Sequence, residues 1–323
     1  MKVLIVGGAG YIGSLLVPHL MNRGYEVGVI DLFWFGNHLP NGVKVIKKGI
    51  FDLTEKDIEG YDQAVFLAGL SNDPMAEFSP AENFISNASA PAFLAYIAKR
   101  AGVKRYIFAG SCSVYGYTVN ELYDENSPAI SSYPYGISKL QGEQAAMQMR
   151  DESFSVISLR QGTVGGFSPR MRLDLVVNTM FKFAVTTGVI TVNNPAIWRP
   201  ILDIRDAVTA YTRAMESNQE ISGIFNVASG NYTVGEIGDL VQRGVAKGLD
   251  LDVRLEMKNI EDYRNYKVST EKARTVLSFH PQHGVEETVD DLIAHRDEFK
   301  DFDNPNYYNI EVFRTLPMGR TTR

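Results

Sequence analysis

Residues 1–13 read MKVLIVGGAGYIG, and this opening decides the fold. The aliphatic run 2–6 has the composition of a buried strand, and it passes straight into glycines. A helical pattern then occupies 11–23. Gly8, Gly10 and Gly13 satisfy G-x-G-x-x-G, while Gly7, Gly10 and Gly13 satisfy G-x-x-G-x-x-G. Such a pattern alone is weak; between a strand and a helix it has the context that a dinucleotide turn requires. Glycine permits positive φ and lets the backbone approach a pyrophosphate at the helix N-terminus. A tight turn without a ligand is the plain alternative.

Asp31 follows the next expected strand, 26–30, at the distance from the glycines where a carboxylate binds both ribose hydroxyls. It would repel a 2′-phosphate, and no arginine occurs in 32–41, so the cofactor reads as NAD rather than NADP. Asp52, beyond a third strand at 43–47, is placed either at the adenine edge or as a helix cap ahead of Glu55.

Outward from the opening, further strands are expected at 63–67, 105–109 and 154–159, with helices at 81–101 and 134–150. Strands alternating with helices give a parallel, doubly wound α/β sheet whose ligands bind at the carboxyl ends of the strands. Beyond about 165 the pattern is less regular: helices at 172–187, 206–217, 233–247 and 284–300, and a strand at 223–228. This suggests a nucleotide-binding domain over 1–165 and a smaller lobe over 166–323, with about 200–230 crossing back to the sheet. The polar, basic end 319–323 reads as a frayed tail.

The chain has 323 residues, 45% of them hydrophobic, enough for a sizeable core. A net charge of −6 argues against whole-surface attraction to nucleic acid or anionic lipid, though not against a local basic pocket. One cysteine, Cys112, excludes an intrachain disulfide framework and suggests a reducing compartment. With neither a membrane-length apolar run nor a signal peptide, the expected location is cytoplasmic. The five histidines form no metal-ligand pattern, and no G-x-S-x-G elbow supports hydrolysis.

Tyr135 and Lys139 stand four apart on an expected helix and so share a face. Ser111 lies just past a strand, at the sheet edge that carries the glycine turn. A tyrosine with its usual pKa near 10 is a poor base at neutral pH. A lysine ammonium and a nicotinamide cation both favour the phenolate, and a shift of about 3 units needs roughly 4 kcal/mol from them. Tyr135 would take a proton from a sugar hydroxyl as hydride leaves for NAD, with Ser111 bonded to the same oxygen and Lys139 also on the nicotinamide ribose.

These residues resemble the extended short-chain dehydrogenase/reductases, in particular the NAD-dependent nucleotide-sugar epimerase/dehydratase group. The matching segments are GGAGYIG (7–13), VIDLFWFGN (29–37), VFLAGLSNDP (65–74), NASAPAFLAYIAKRAGVKRYIFAGSCSVYG (87–116) and YPYGISKLQGE (133–143). They continue as LRQGTVGG (159–166), SPRMRLDLVVN (168–178), WRPILDIRDAV (198–208) and YRNYKVSTEKA (263–273). The resemblance implies a Rossmann-type domain with a C-terminal substrate-binding lobe. It places Gly7, Gly10, Tyr11, Ile12 and Gly13 at the pyrophosphate, Asp31 at the adenosine ribose and Asp52 near adenine. Leu67, Ala68 and Gly69 would lie beneath the cofactor and Asn87 near its ribose. Ser111, Tyr135 and Lys139 match the catalytic residues; Thr163, Asn178, Arg199 and Arg264 fall on the substrate side. The two arginines suit a nucleotide diphosphate, or form an interlobe salt bridge.

Departures narrow the reaction. Related 4,6-dehydratases carry Asp and Glu after the catalytic serine or threonine; here Cys112 and Ser113 follow Ser111. A thiol and a hydroxyl are poor substitutes for that acid–base pair, so dehydration is disfavoured. Cys112 faces substrate or simply packs as a small hydrophobe. Thr163 replaces a frequent asparagine and Phe66 a frequent histidine. SPRMRLDLVVN resembles a branch that includes 4-dehydrogenases of nucleotide-linked heptoses; its Arg170 and Arg172 contact substrate or cap the next helix. The expected function is a nucleotide-sugar 4-epimerase working through a 4-keto intermediate. A 4-dehydrogenase or 4-ketoreductase is the rival, and a non-catalytic NAD sensor is the alternative of another class. The resemblance also implies a homodimer through the helices 81–101 and 134–150.

Overall fold

The computed structural model describes residues 1–260 and 264–316, so the tail at 319–323 and Tyr263 lie outside the described residues. Seven parallel strands form the central sheet in the order Gly223–Val227, Ser155–Gln161, Arg105–Ser111, Gln63–Phe66, Lys2–Val6, Glu26–Ile30, Lys44–Ile46. The chain moves outward from Lys2–Val6 in one direction, then crosses over to build the other side from Gln63–Phe66. That reversal opens a crevice at the carboxyl ends of the first and fourth strands. Both sheet faces are covered, which is why the inner strands are buried and mostly apolar. Val3 and Ile5 enter one core with Leu16, Val17 and Leu20, while Leu4 and Val6 enter the other with Leu94 and Phe108. This is an α/β fold of Rossmann type.

The expected helix at 81–101 is a chain of helical pieces, Pro80–Phe84, a π-turn Ile85–Ser89 and Ala90–Arg100. The π-turn meets the helix Pro134–Met147 at Gly142, where an added Cβ would lie 2.1 Å from the Asn87 carbonyl oxygen. The expected helix at 172–187 starts only at Val176, because the residues before it are buried as an irregular segment: Met171 and Leu173 enter the second-lobe core, and Arg172 donates to Ser71 Oγ at 3.0 Å. Short strands escape the sequence pattern: Trp198–Asp203 pairs with Thr163–Gly165 and Gly230–Thr233, Val189–Asn193 with Arg254–Lys258, and Tyr117–Tyr123 with Asn265–Val268. Helices of six or seven residues are also unforeseen, at Asp73–Phe78, Glu271–Val276 and Asn309–Thr315.

The second lobe has its own core, in which Phe181, Ile190, Ile237, Val289 and Phe299 meet. The chain crosses back through the helix Ile204–Glu216, which packs on the first core, and the strand Gly223–Val227. Among the described residues no helix is long and apolar enough to cross a membrane.

Arg105 fastens the crossing. Fully buried, it donates from Nε to Ser155 Oγ at 2.9 Å and from Nη1 to the carbonyls of Ala214 at 2.8 Å and Ser217 at 2.9 Å. A cation there complements the carbonyl end of the helix Ile204–Glu216. Arg105→Met strips those carbonyls of their donor in a dry place, at an expected cost of about 3 kcal/mol or more. Urea unfolding measures it, and a midpoint matching the wild type would contradict the role.

Candidate active site

Gly7 adopts φ +84°, and a Cβ there would stand 2.5 Å from the Ala68 nitrogen, so the turn and the end of the fourth strand touch backbone to backbone. Gly13 is equally constrained, with its would-be Cβ 2.4 Å from the Gly8 carbonyl oxygen. No side chain caps the helix Gly13–Asn22 that follows; Ser14, Leu15 and Leu16 N–H donate to the carbonyls of Gly10 and Ile12, so an anion would meet the positive end of the helix and the glycine turn ahead of it. Gly7, Gly10, Tyr11, Ile12 and Gly13 line one wall of a cavity of about 720 Å³; Leu67, Ala68 and Gly69 line the floor. Asp31 also lines it, accepting from the backbone N–H of Ala9 at 2.9 Å and of Phe33 at 2.7 Å. Burial raises its carboxyl pKa, and those bonds oppose the rise. A helix N-terminus with no side-chain cap, a backbone cradle and a carboxylate at the end of the second strand fit a dinucleotide.

Two cofactor-side expectations need correction. The Asp52 side chain is exposed and does not line the cavity, which takes Ile50 and Phe51 from the same turn. The nearby helix is capped instead by Thr54, with Asp57 as its reciprocal partner. Asn87 is wholly buried behind the wall, donating to the Leu70 carbonyl and to Asn83 Oδ1, both at 2.8 Å. It supports the 67–70 segment and does not reach the cavity.

Ser111, Tyr135 and Lys139 meet at the cavity wall. Lys139 Nζ donates to the Ala109 carbonyl at 2.9 Å and lies 5.9 Å from the centre of the Tyr135 ring. Burial pulls the lysine pKa down to about 8. Burial also pushes the Tyr135 phenol above the usual tyrosine range, opposed by its hydrogen bond with Ser111 and by the charge of Arg172. Ser111 Oγ stands 2.8 Å from Ser113 Oγ, and Ser113 shares the wall. Cys112 points the other way: its Sγ donates to the Arg160 carbonyl at 3.1 Å, and burial raises the thiol pKa. The substrate role for Cys112 is therefore replaced by packing: it opens the 3₁₀ turn Cys112–Tyr115 and joins the buried cluster that holds Val114 and Tyr115.

Thr163, Arg199 and Arg264 line the far part of the cavity. Arg199 donates to the Arg264 carbonyl, and Arg264 pairs with Asp73 at 2.6 Å. Asn178 needs correction: fully buried, it accepts from the Gly166 N–H at 2.9 Å and donates to the Tyr11 hydroxyl at 3.1 Å, tying the second lobe to the glycine turn. Lining residues that sequence reasoning missed include Asp73, Asp174, Tyr266 and Asn309. Asp174 follows the two arginines noticed in the sequence and clamps Arg172 at 2.8 Å. No sequence signal marks Asn309. Among the described residues no group of three His, Cys, Asp or Glu side chains could hold a metal ion.

Residues 3–228 match the family described as NAD dependent epimerase/dehydratase. The UDP-glucose 4-epimerase of Lactobacillus helveticus is 27% identical, over 91% of this chain and 95% of that protein. UDP-glucuronic acid decarboxylase 6 of Arabidopsis thaliana is 26% identical, over 87% of this chain and 84% of that protein. Among solved structures, MoeE5 in complex with UDP-glucuronic acid and NAD superposes with a TM-score of 0.80 at 25% identity, covering 91% of this chain and 98% of that one. The dinucleotide cradle and the catalytic wall thus have a family to match: this chain belongs to the NAD dependent epimerase/dehydratase family and is an NAD-dependent enzyme of nucleotide sugars.

Proposed function

We infer that the protein is a nucleotide-sugar 4-epimerase. The observation that carries the reading is the make-up of the catalytic wall: Tyr135, Ser111 and Lys139 face the cavity, the next two positions present a hydroxyl and a turned-away thiol, and neither offers a carboxylate for elimination. The UDP-glucose 4-epimerases among its curated relatives, such as that of Lactobacillus helveticus, matched over 95% of its length, support the same choice.

In this account Tyr135 takes the proton of the sugar 4-hydroxyl, and Ser111 hydrogen-bonds the oxygen as it becomes a carbonyl. Bound NAD supplies the hydride acceptor. Lys139 stabilises the phenolate electrostatically, and Tyr135 returns the proton after the 4-keto sugar has presented its other face. Arg199 and Arg264 hold the nucleotide diphosphate while the sugar turns. The cofactor therefore ends each cycle as it began.

Incubation with UDP-, GDP-, CDP- and dTDP-sugars, with products read by mass and NMR, tests this. An isomer of unchanged mass without accumulated NADH is expected, and Tyr135→Phe should slow its formation about 10²–10⁴-fold. A product two hydrogens lighter with matching NADH makes the protein a 4-dehydrogenase and overturns the epimerase.

Lys139 carries a second expectation. Its pKa falls from 10.5 to about 8 on folding, so between those values the unfolded chain binds more protons and stability rises with pH. Lys139→Met removes that slope; near neutral pH it should stabilise the empty protein by roughly 3 kcal/mol at most while abolishing turnover. Urea unfolding at about pH 7 and about pH 9.5 checks this, and a wild-type stability flat across that window would contradict the burial of a charged lysine.

A further inference from the structure

The helix Asn309–Thr315 has seven residues and lies at the mouth of the cavity, where Asn309 and Ile310 join the lining. Phe313 anchors it, packing with Leu70 and Met75, 6.1 Å from the Trp34 ring and 5.9 Å from the Phe78 ring. Asn309 then reaches both lobes. Its Nδ2 donates to Ser71 Oγ at 2.8 Å, and its Oδ1 accepts from the Arg170 guanidinium.

Arg170 is the unusual partner. It lines the cavity but is only 2% exposed. Its hydrogen bonds go to neutral acceptors, the Met171 carbonyl and Asn309, and its Nε has no partner among the described residues. Burial and the nearby Arg172 pull its pKa down to about 9. A guanidinium so placed has no carboxylate in hydrogen-bond contact among the described residues. The location says which anion it would meet. Its guanidinium carbon lies 3.6 Å from the centre of the Phe35 ring, which lines the cavity with Asp31; of the two carboxylates whose charge it feels, Asp174 is already held by Arg172 at 2.8 Å, and Asp31 stands beside the glycine turn. Arg199 and Arg264 instead lie over Tyr266 and Tyr133, at the start of the Tyr135 helix. One cavity thus holds two separate arginine stations, as two diphosphates require.

We propose that Arg170, held by Asn309, is a cofactor-binding residue contributed by the second lobe: it pairs with the diphosphate of the dinucleotide, and the helix Asn309–Thr315 keeps it there so that the dinucleotide leaves slowly. This rests on the reading of the cavity as the NAD site. Slow release suits an enzyme that gives the hydride back to the sugar it came from.

The test loads the holoenzyme with NADH and chases with excess NAD, following the loss of bound-NADH fluorescence. Arg170→Gln should speed release by about tenfold or more, the loss of one charge-assisted hydrogen bond, with Arg170→Lys in between. Asn309→Ala should speed it several-fold, and it carries the test if the arginine variant melts abnormally by circular dichroism. Release within twofold of wild type in the folded variants overturns the proposal. So does a raised KM for the nucleotide sugar with unchanged NADH release, which assigns Arg170 to the substrate. A wild-type chain that holds no NADH also overturns it, and is distinguished by failing before any variant is compared.

Discussion

The docking of the helix Pro134–Met147 against the sheet is the constraint on which the site depends. Glu143 and Arg160 form a buried ion pair at 2.6 Å between that helix and the strand Ser155–Gln161. Arg160 also donates to the Tyr115 hydroxyl at 2.8 Å, and that hydroxyl donates to Asn226 Oδ1 at 2.8 Å on the strand that crosses back. Such a pair adds little net stability after desolvation, but breaking it strands a buried charge, so it discriminates sharply against other registers. Gly136 and Gly142 let the helix approach close enough: a Cβ at Gly136 would lie 2.6 Å from the Ser113 carbonyl oxygen. Tyr135 and Lys139 ride on this fixed helix, beside a serine fixed by the strand Arg105–Ser111.

The electrostatics of the cavity run against those of the whole molecule. The chain is acidic overall, at −6, yet Arg170, Arg172, Arg199, Arg264, Lys48 and Lys139 line this one space against only three carboxylates, Asp31, Asp73 and Asp174. A local field of that sign attracts an anionic ligand despite the net charge. Arg172 is committed to Asp174 in a two-point contact, at 2.8 and 3.0 Å, and so acts as a fixed charge near Tyr135 and Tyr11. Arg264 is paired with Asp73, and the other cations are spread along the cavity, consistent with a dinucleotide at one end and a nucleotide sugar at the other.

What the sequence made legible was local. The glycine turn, Asp31 and the Tyr135–Lys139 pair are set by spacing within one strand–turn–helix or one helical turn, and each lines the cavity. Asp52, Asn87, Cys112 and Asn178 were harder because each sits on a helical turn, where neighbouring side chains point in different directions and only tertiary packing decides which one meets the cavity. Asn178 sits on the correct helix but looks inward, to Tyr11 and Gly166. Strands of three to six residues such as Thr163–Gly165 and Trp198–Asp203 are too short to show a period. The helix Asn309–Thr315 offers only two turns of pattern, and its place over the cavity depends on contacts with Ser71 and Arg170, far away in sequence.

The central claim is that Tyr135 and its neighbours remove hydrogen from the sugar and return it at the same carbon. The most direct measurement is the fate of a deuterium placed at C4 of whichever nucleotide sugar turns over, followed by NMR with the protein in excess and in the presence of free unlabelled NADH. The account predicts that the label reappears at C4 of the epimer, undiluted by the free NADH. Label washed out into the free nicotinamide pool, or retained at C4 only in unreacted substrate, would contradict it.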